Sequence, residues 1–139
     1  MRRLLLLLAA GAFAGCQSPL PAVNPQMAWV DFATPSPGGK LLMAERLDNQ
    51  RLSDGRFFQV TPGSHELRVR FDFEVFGGGG SLMTGPVERL CYMTIRFDHF
   101  EAGQRYRLEA RSLAFTPSAR LYNAKREIVA EDRDTNCII

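Results

Sequence analysis

The feature that most constrains this chain is a run of strict alternation. Leu67, Val69, Phe71, Phe73 and Val75 are interleaved with Arg68, Arg70, Asp72 and Glu74. Side chains of an extended strand point to opposite faces with a period of two, so this run reads as a strand with one buried and one solvated face. Cys91, Met93, Ile95 and Phe97 alternate likewise with Tyr92, Thr94, Arg96 and Asp98, and Tyr106, Leu108 and Ala110 with Arg107 and Glu109. Val69, Phe71, Phe73, Ile95, Phe97 and Leu108 are thereby expected in the core, with Arg68, Arg70 and Arg107 facing water. Turn chemistry bounds the runs: Thr61-Pro62-Gly63-Ser64 before the first, and Glu101-Ala102-Gly103-Gln104 between the other two. Shorter strand candidates lie at 29–32, 41–47, 56–60, 119–123 and 127–131. The pairs 56–60/65–75 and 91–98/105–115 read as hairpins. No segment has the spacing of a long amphipathic helix. The expected fold is all-β, a small antiparallel β-sandwich or barrel-like domain.

The N-terminus follows other rules. Met1-Arg2-Arg3 is positive and Leu4 to Ala12 is wholly apolar, the layout of a secretory signal and too short for a membrane span. Two cleavages compete. Ala12-Phe13-Ala14 fits ordinary signal peptidase and would leave Gly15 first, whereas Phe13-Ala14-Gly15-Cys16 resembles the lipobox of bacterial lipoproteins. That resemblance implies cleavage before Cys16, a lipid on its sulfur and anchorage to a membrane. Gln17 is similar to the residue that follows the cysteine in outer-membrane lipoproteins, which implies the periplasmic face of that membrane. Residues 1–15 then form the signal peptide, 16–27 the lipidated cysteine and a tether rich in proline (Pro19, Pro21, Pro25), and 28–139 a single β domain. A polyproline tether extends ~3.1 Å per residue and would stand the domain well off the bilayer.

The cysteine count agrees with this reading. Of Cys16, Cys91 and Cys137, lipidation consumes one and leaves a pair in an oxidising compartment. A Cys91–Cys137 disulfide is expected, tying down the charged tail Glu131-Asp132-Arg133-Asp134. The alternative is two separate thiols, with Cys91 buried as a small hydrophobe. Charge narrows the partners further. Lys and Arg number 17 against 15 Asp and Glu, but Arg2 and Arg3 lie in the leader, so the mature chain carries fifteen of each. Nucleic-acid binding needs a clustered cationic excess, and the composition offers none.

The segment Val60-Thr61-Pro62-Gly63-Ser64-His65-Glu66-Leu67 carries the pattern V-x-P-G-x-H-x-L between two strands. With the later Ala102-Gly103-Gln104-Arg105-Tyr106-Arg107-Leu108, it resembles the PEGA-like β module of small proteobacterial envelope lipoproteins. The resemblance covers most of residues 41–131. It implies a β-rich envelope domain without catalysis and transfers no functional residue.

Other chemistry is sparse. His65 and His99 lack ligand spacing, so no metal is expected. Ser64-His65 and Asp98-His99 lack a nucleophile elbow, and neighbours on a strand point to opposite faces. The run Gly77-Gly78-Gly79-Gly80 is not followed by the Lys-Ser/Thr of a phosphate loop. It reads as a connection whose Leu82 and Met83 form a contact loop, since loops carry binding more often than cores do. Arg68, Arg70, Arg96, Arg107 and Arg111 line solvated strand faces among carboxylates, and could pair across strands or take anionic headgroups. The expected function is non-enzymatic: an envelope lipoprotein, without cofactor, that binds or scaffolds an envelope protein or peptidoglycan. An apolar-ligand or lipid-chaperone module is the alternative, and a hydrolase comes third. Metabolic labelling with a lipid analogue should mark the wild-type chain and miss Cys16→Ser. An unlabelled mature chain beginning at Gly15 would overturn the lipobox reading.

Overall fold

The computed structural model describes residues 18–76 and 85–138, and these contain strands and turns and no helix. Nine strands follow in chain order: β1 (Ala28–Ala33), β2 (Gly39–Leu47), β3 (Gln50–Arg51), β4 (Phe58–Val60), β5 (Gly63–Val75), β6 (Val87–Phe100), β7 (Arg105–Leu113), β8 (Thr116–Tyr122) and β9 (Ile128–Cys137). They form one open sheet in the order β3-β2-β5-β6-β9-β8-β7-β1-β4. The expected all-β sandwich is present, with one qualification. The sheet is mixed, because β1 runs parallel to β7 while every other neighbouring pair is antiparallel.

Two layers arise because β9 serves both. Its end, Asp132 to Cys137, pairs with β6, whereas Ile128 to Glu131 pairs with β8. Between the layers lie Phe58, Leu67, Val69, Phe71, Phe73, Met93, Ile95, Leu108 and Leu121, all 1% exposed or less. The alternation of β5 is reproduced residue for residue, Leu67 to Val75 buried at every second position. Arg68 and Arg70 are half-buried along their stems and Arg107 is exposed.

Both expected hairpins are absent. β4 pairs with β1, not β5, and β6 pairs with β5 and β9, not β7. Thr61-Pro62-Gly63 and Glu101 to Gln104 carry the chain from one layer to the other. Such arches use the same turn residues as hairpins, so the local signal cannot separate them. Gly63 adopts φ 111°, a conformation open to glycine at little cost, where the chain enters β5. The true hairpin turns lie elsewhere. Asp48 and Asn49 both have positive φ (49° and 66°), as a two-residue turn between β2 and β3 requires.

Phe97 is only partly buried, while Phe100 is 2% exposed. His65 faces Phe97 and Gly63 faces Phe100, so β6 holds one more residue than β5 over this stretch. That bulge turns Phe100 inward and moves Phe97 to the rim of the core. Residues 18–27 also touch the body. Arg56 Nη1 donates to the Ser18 carbonyl at 2.7 Å, Asn24 N–H to Gln59 Oε1 at 3.0 Å, and Gly103 N–H to the Met27 carbonyl at 3.0 Å. The segment from Ser18 to Met27 is clasped to the body.

The charged tail is part of strand β9 and is tied down as expected. Cys91 and Cys137 face each other across β6 and β9 and are joined by a disulfide, their Cα atoms 4.0 Å apart. The next pair outward is hydrogen-bonded, Ile138 N–H to the Leu90 carbonyl at 2.9 Å, so the cysteines occupy the close, non-hydrogen-bonded register. The bridge spans 46 residues. In the chain-entropy model a closure of that length stabilises by roughly 4 kcal/mol, and measured bridges often give less. Reduction should therefore lower the melting temperature, and Cys137→Ser should reproduce the loss. Recovery of both cysteines as free thiols in non-reducing peptide maps of the exported protein would contradict the bridge.

Candidate functional site

The crossing of β9 creates the most distinctive surface of the molecule. Its last pairing with β6 is Asp132 with Ile95, and its first with β8 is Glu131 with Arg120. Beyond Ile95, residues 96–100 of β6 have β5 on one side and, among the described residues, no strand on the other. Residues 128–131 of β9 have β8 on one side only. The two strands therefore diverge as a fork with facing open edges, each presenting backbone groups that a further strand could pair.

A cleft of about 370 Å³ fills the fork. Phe97, Tyr106 and Val129 supply its apolar lining, while His99, Glu101, Lys125 and Glu127 stand around it. The floor is a packed aromatic cluster. Phe97 meets Phe100 edge-on with centroids 4.9 Å apart, and Phe100 meets Tyr106 in the same manner at 5.0 Å. The Tyr106 hydroxyl accepts the Glu101 N–H at 3.1 Å, which fixes the arch that leads into β7. On the far side the Asn123 carboxamide oxygen accepts the N–H groups of Lys125 and Glu127, which shapes the β8–β9 turn. The lining is thus held from both sides.

The histidines are structural neighbours of this region. His65 Nδ1 lies 2.6 Å from Asp48 Oδ2 and its Nε2 lies 2.7 Å from the Thr61 carbonyl. The Ser64 hydroxyl donates to Asp98 Oδ1 at 2.8 Å instead of to a histidine, so Ser64 and His65 do not form a nucleophile and base pair. His99 lies beside the Phe97 ring, 6.3 Å between centroids. Among the described residues no three His, Cys, Asp or Glu side chains converge as a metal site.

The expected arginines all find carboxylates. Arg68 meets Glu45 at 2.9 Å, Arg70 meets Asp72 at 2.9 Å and Arg96 meets Asp98 at 3.4 Å, while Arg107 and Arg111 share Glu109. Cys91 and Cys137 are bonded to each other, as above. Cys16, Leu82 and Met83 lie outside the described residues. The fork was missed from sequence because it depends on where β9 finds its partners. One local signal did exist: Phe97 and Phe100 are three residues apart, which breaks the period of two and marks the bulge.

Asp48 ties the β2–β3 turn to β5. Burial pushes its carboxyl pKa up, but the Glu66 N–H at 2.8 Å and the His65 ring outweigh that and hold it below 3.8. A carboxyl depressed on folding contributes stability above the unfolded value, which is lost as pH falls through the folded one. Asp48→Asn, which keeps a residue suited to positive φ, should flatten the acid limb of the stability curve below about pH 4. Urea midpoints across that range check this; an unchanged slope would contradict the assignment.

Searches against family models, curated proteins and solved structures find no match to this chain.

Proposed function

We propose that the chain is a non-enzymatic, lipid-anchored envelope module that recruits a partner protein by strand addition at the fork between β6 and β9. The observation that carries this reading is the pair of open strand edges facing each other over an apolar, aromatic floor. An extended segment entering there would pair its backbone with one or both edges and seat alternate side chains on Phe97, Tyr106 and Val129. Strand addition takes affinity from main-chain hydrogen bonds and specificity from such side-chain contacts. The rim carries Glu101 and Glu127 against Lys125, which favours a segment with a basic residue.

The interior supports binding at the surface over storage inside. The largest core side chains are fully buried against one another, and the fork is an open cleft. An apolar-ligand chaperone instead needs a concave, enclosing pocket. Localisation to the periplasmic face of the outer membrane, and the PEGA-like kinship, belong to the same proposal and rest on the lipobox and the turn motifs.

A photo-crosslinking residue placed at His99 or Glu127 should capture one envelope protein in intact cells, identified by mass spectrometry. The same residue at Arg68, on the outer face of β5 and outside the cleft, should not. Val129→Arg should weaken capture at least tenfold by placing an unpaired charge on the apolar floor. Adducts from position 68 alone, or capture of peptidoglycan fragments at the fork, would replace this reading.

A further inference from the structure

The chain is neutral as a whole after the leader, but its two outer faces are not alike. On the β7–β8 layer, Glu109 is 4% exposed and lies beneath three guanidinium groups. Arg107 Nε stands 3.3 Å from its Oε1, Arg111 Nη2 3.2 Å from its Oε2, and Arg126 Nη2 3.8 Å from Oε1. One carboxylate cannot neutralise three cations, so this face carries an uncompensated positive charge. Arg120 adjoins it, opposite Glu109 in the β7–β8 register and paired to Glu131 at 3.4 Å. The arginines remain half exposed or more, with heads that still have donors to offer. The other layer is closer to balance: Glu45 serves Arg46 and Arg68, Arg70 has Asp72, Arg96 has Asp98, and Lys40 is held between Glu74 at 2.9 Å and Glu88 at 2.6 Å.

The chain's N-terminal segment runs along the β4 edge of the arginine-bearing layer. Asn24 is bonded to Gln59 of β4, in the arginine-bearing layer, and Ser18 is bonded to Arg56 just before that strand. Cys16 is two residues before Ser18, a reach of at most roughly 7 Å. A lipid on Cys16 would therefore bring the β4 edge of the arginine-bearing layer near the bilayer.

We infer that the arginine face around Glu109 is a docking surface for anionic phospholipid headgroups. Guanidinium groups bind phosphate bidentately, and a basic patch is the second signal that makes attachment through a lipid anchor stable. The orientation rests on the anchored-module reading; the charge pattern does not. Each arginine at an anionic surface strengthens binding about fivefold, and the attraction weakens with salt.

The test uses the chain from Cys16 onward, made without leader or lipid; every described core residue lies within Ala28–Cys137. It should float with vesicles of phosphatidylcholine and phosphatidylglycerol and not with phosphatidylcholine alone, and raised salt should release it. Arg120→Gln with Arg126→Gln leaves Arg107 and Arg111 on Glu109, and should weaken binding about twenty-fivefold. Arg68→Gln with Arg70→Gln, on the other layer, should change it less than twofold. Equal flotation with both vesicle types, insensitivity to salt, or equal losses from the two double variants would overturn the inference. Release by millimolar inorganic phosphate would assign the face to a soluble anion and overturn the bilayer as its occupant. If the β7–β8 variant fails to fold, the salt and lipid dependence of the wild type still decides. The anchored-module reading fails separately, by absence of lipid label on Cys16.

Discussion

The structure depends on one strand belonging to two layers. β9 pairs with β8 up to Glu131 and with β6 from Asp132, and a register irregularity on the β6 pairing falls at that switch. The transfer strands backbone groups on β8 that would otherwise pair. Asp132 answers one of them: its carboxylate accepts the Ala119 N–H at 2.8 Å, a side chain standing in for the departed main chain. The disulfide secures the far end of the same strand to β6. Without β9, β6 and β8 would each show an open edge and no strand would join the layers. With it, residues 96–100 of β6, residues 128–131 of β9 and the start of β8 keep one side without a described strand partner.

The fork follows from that geometry. A strand can follow β6 or β8 at a given level, not both, and the angle between the layers leaves a wedge where it changes allegiance. Side chains fill the wedge from below, through Phe97, Phe100 and Tyr106, but no backbone fills it from the side. A continuous sheet therefore has internal strand edges, in addition to the outer ones. The outermost strands are very short, β3 with two residues and β4 with three, so part of β2 and of β1 is outer edge as well. What sets the internal edges apart is the aromatic floor between them, which is why the fork is the stronger candidate for a selected contact.

What could be read beforehand divides along a physical line. Facing in or out is a property of a single strand, and the alternation of Leu67 to Val75 or Tyr106 to Ala110 expressed it directly. The Cys91–Cys137 pair was equally legible, because the cysteine count and the expectation of export point to it without knowledge of the sheet. Pairing is a relation between distant segments. Pro62-Gly63 and Ala102-Gly103 mark a reversal, yet nothing in a turn states whether the next strand joins its own layer or the opposite one. The tail divides the same way: the tie from Cys137 to Cys91 was legible, but the ladder that holds Glu131-Asp132-Arg133-Asp134, to β8 before Asp132 and to β6 from there on, was not. For the same reason neither the fork nor the arch connections could be seen.

Charge makes the same point at larger scale. A balanced composition argues against nucleic acid as a partner only if the charges are also mixed in space. In β7 they recur at alternate positions, Arg105, Arg107, Glu109 and Arg111, which places all four on one side of the layer. Asp31 of β1 neutralises Arg105 through two contacts, Nε to Oδ2 at 2.6 Å and Nη2 to Oδ1 at 3.0 Å; that bonding is the chief cause holding the Asp31 carboxyl below its ordinary pKa. Asp31 is also the register partner of Arg107, although its carboxylate bonds Arg105; beyond it Ala33 faces Glu109 on one side and Arg120 faces it on the other. Glu109 must then serve several arginines, and its burial beneath them is the result of their crowding. The positive excess is set by register: a shift of β1 by one residue would turn Asp31 into the core and leave Arg105 unmatched as well. The parallel pairing of β1 with β7, which no local pattern announced, thus decides where along this face charge is cancelled and where it is left to meet a partner.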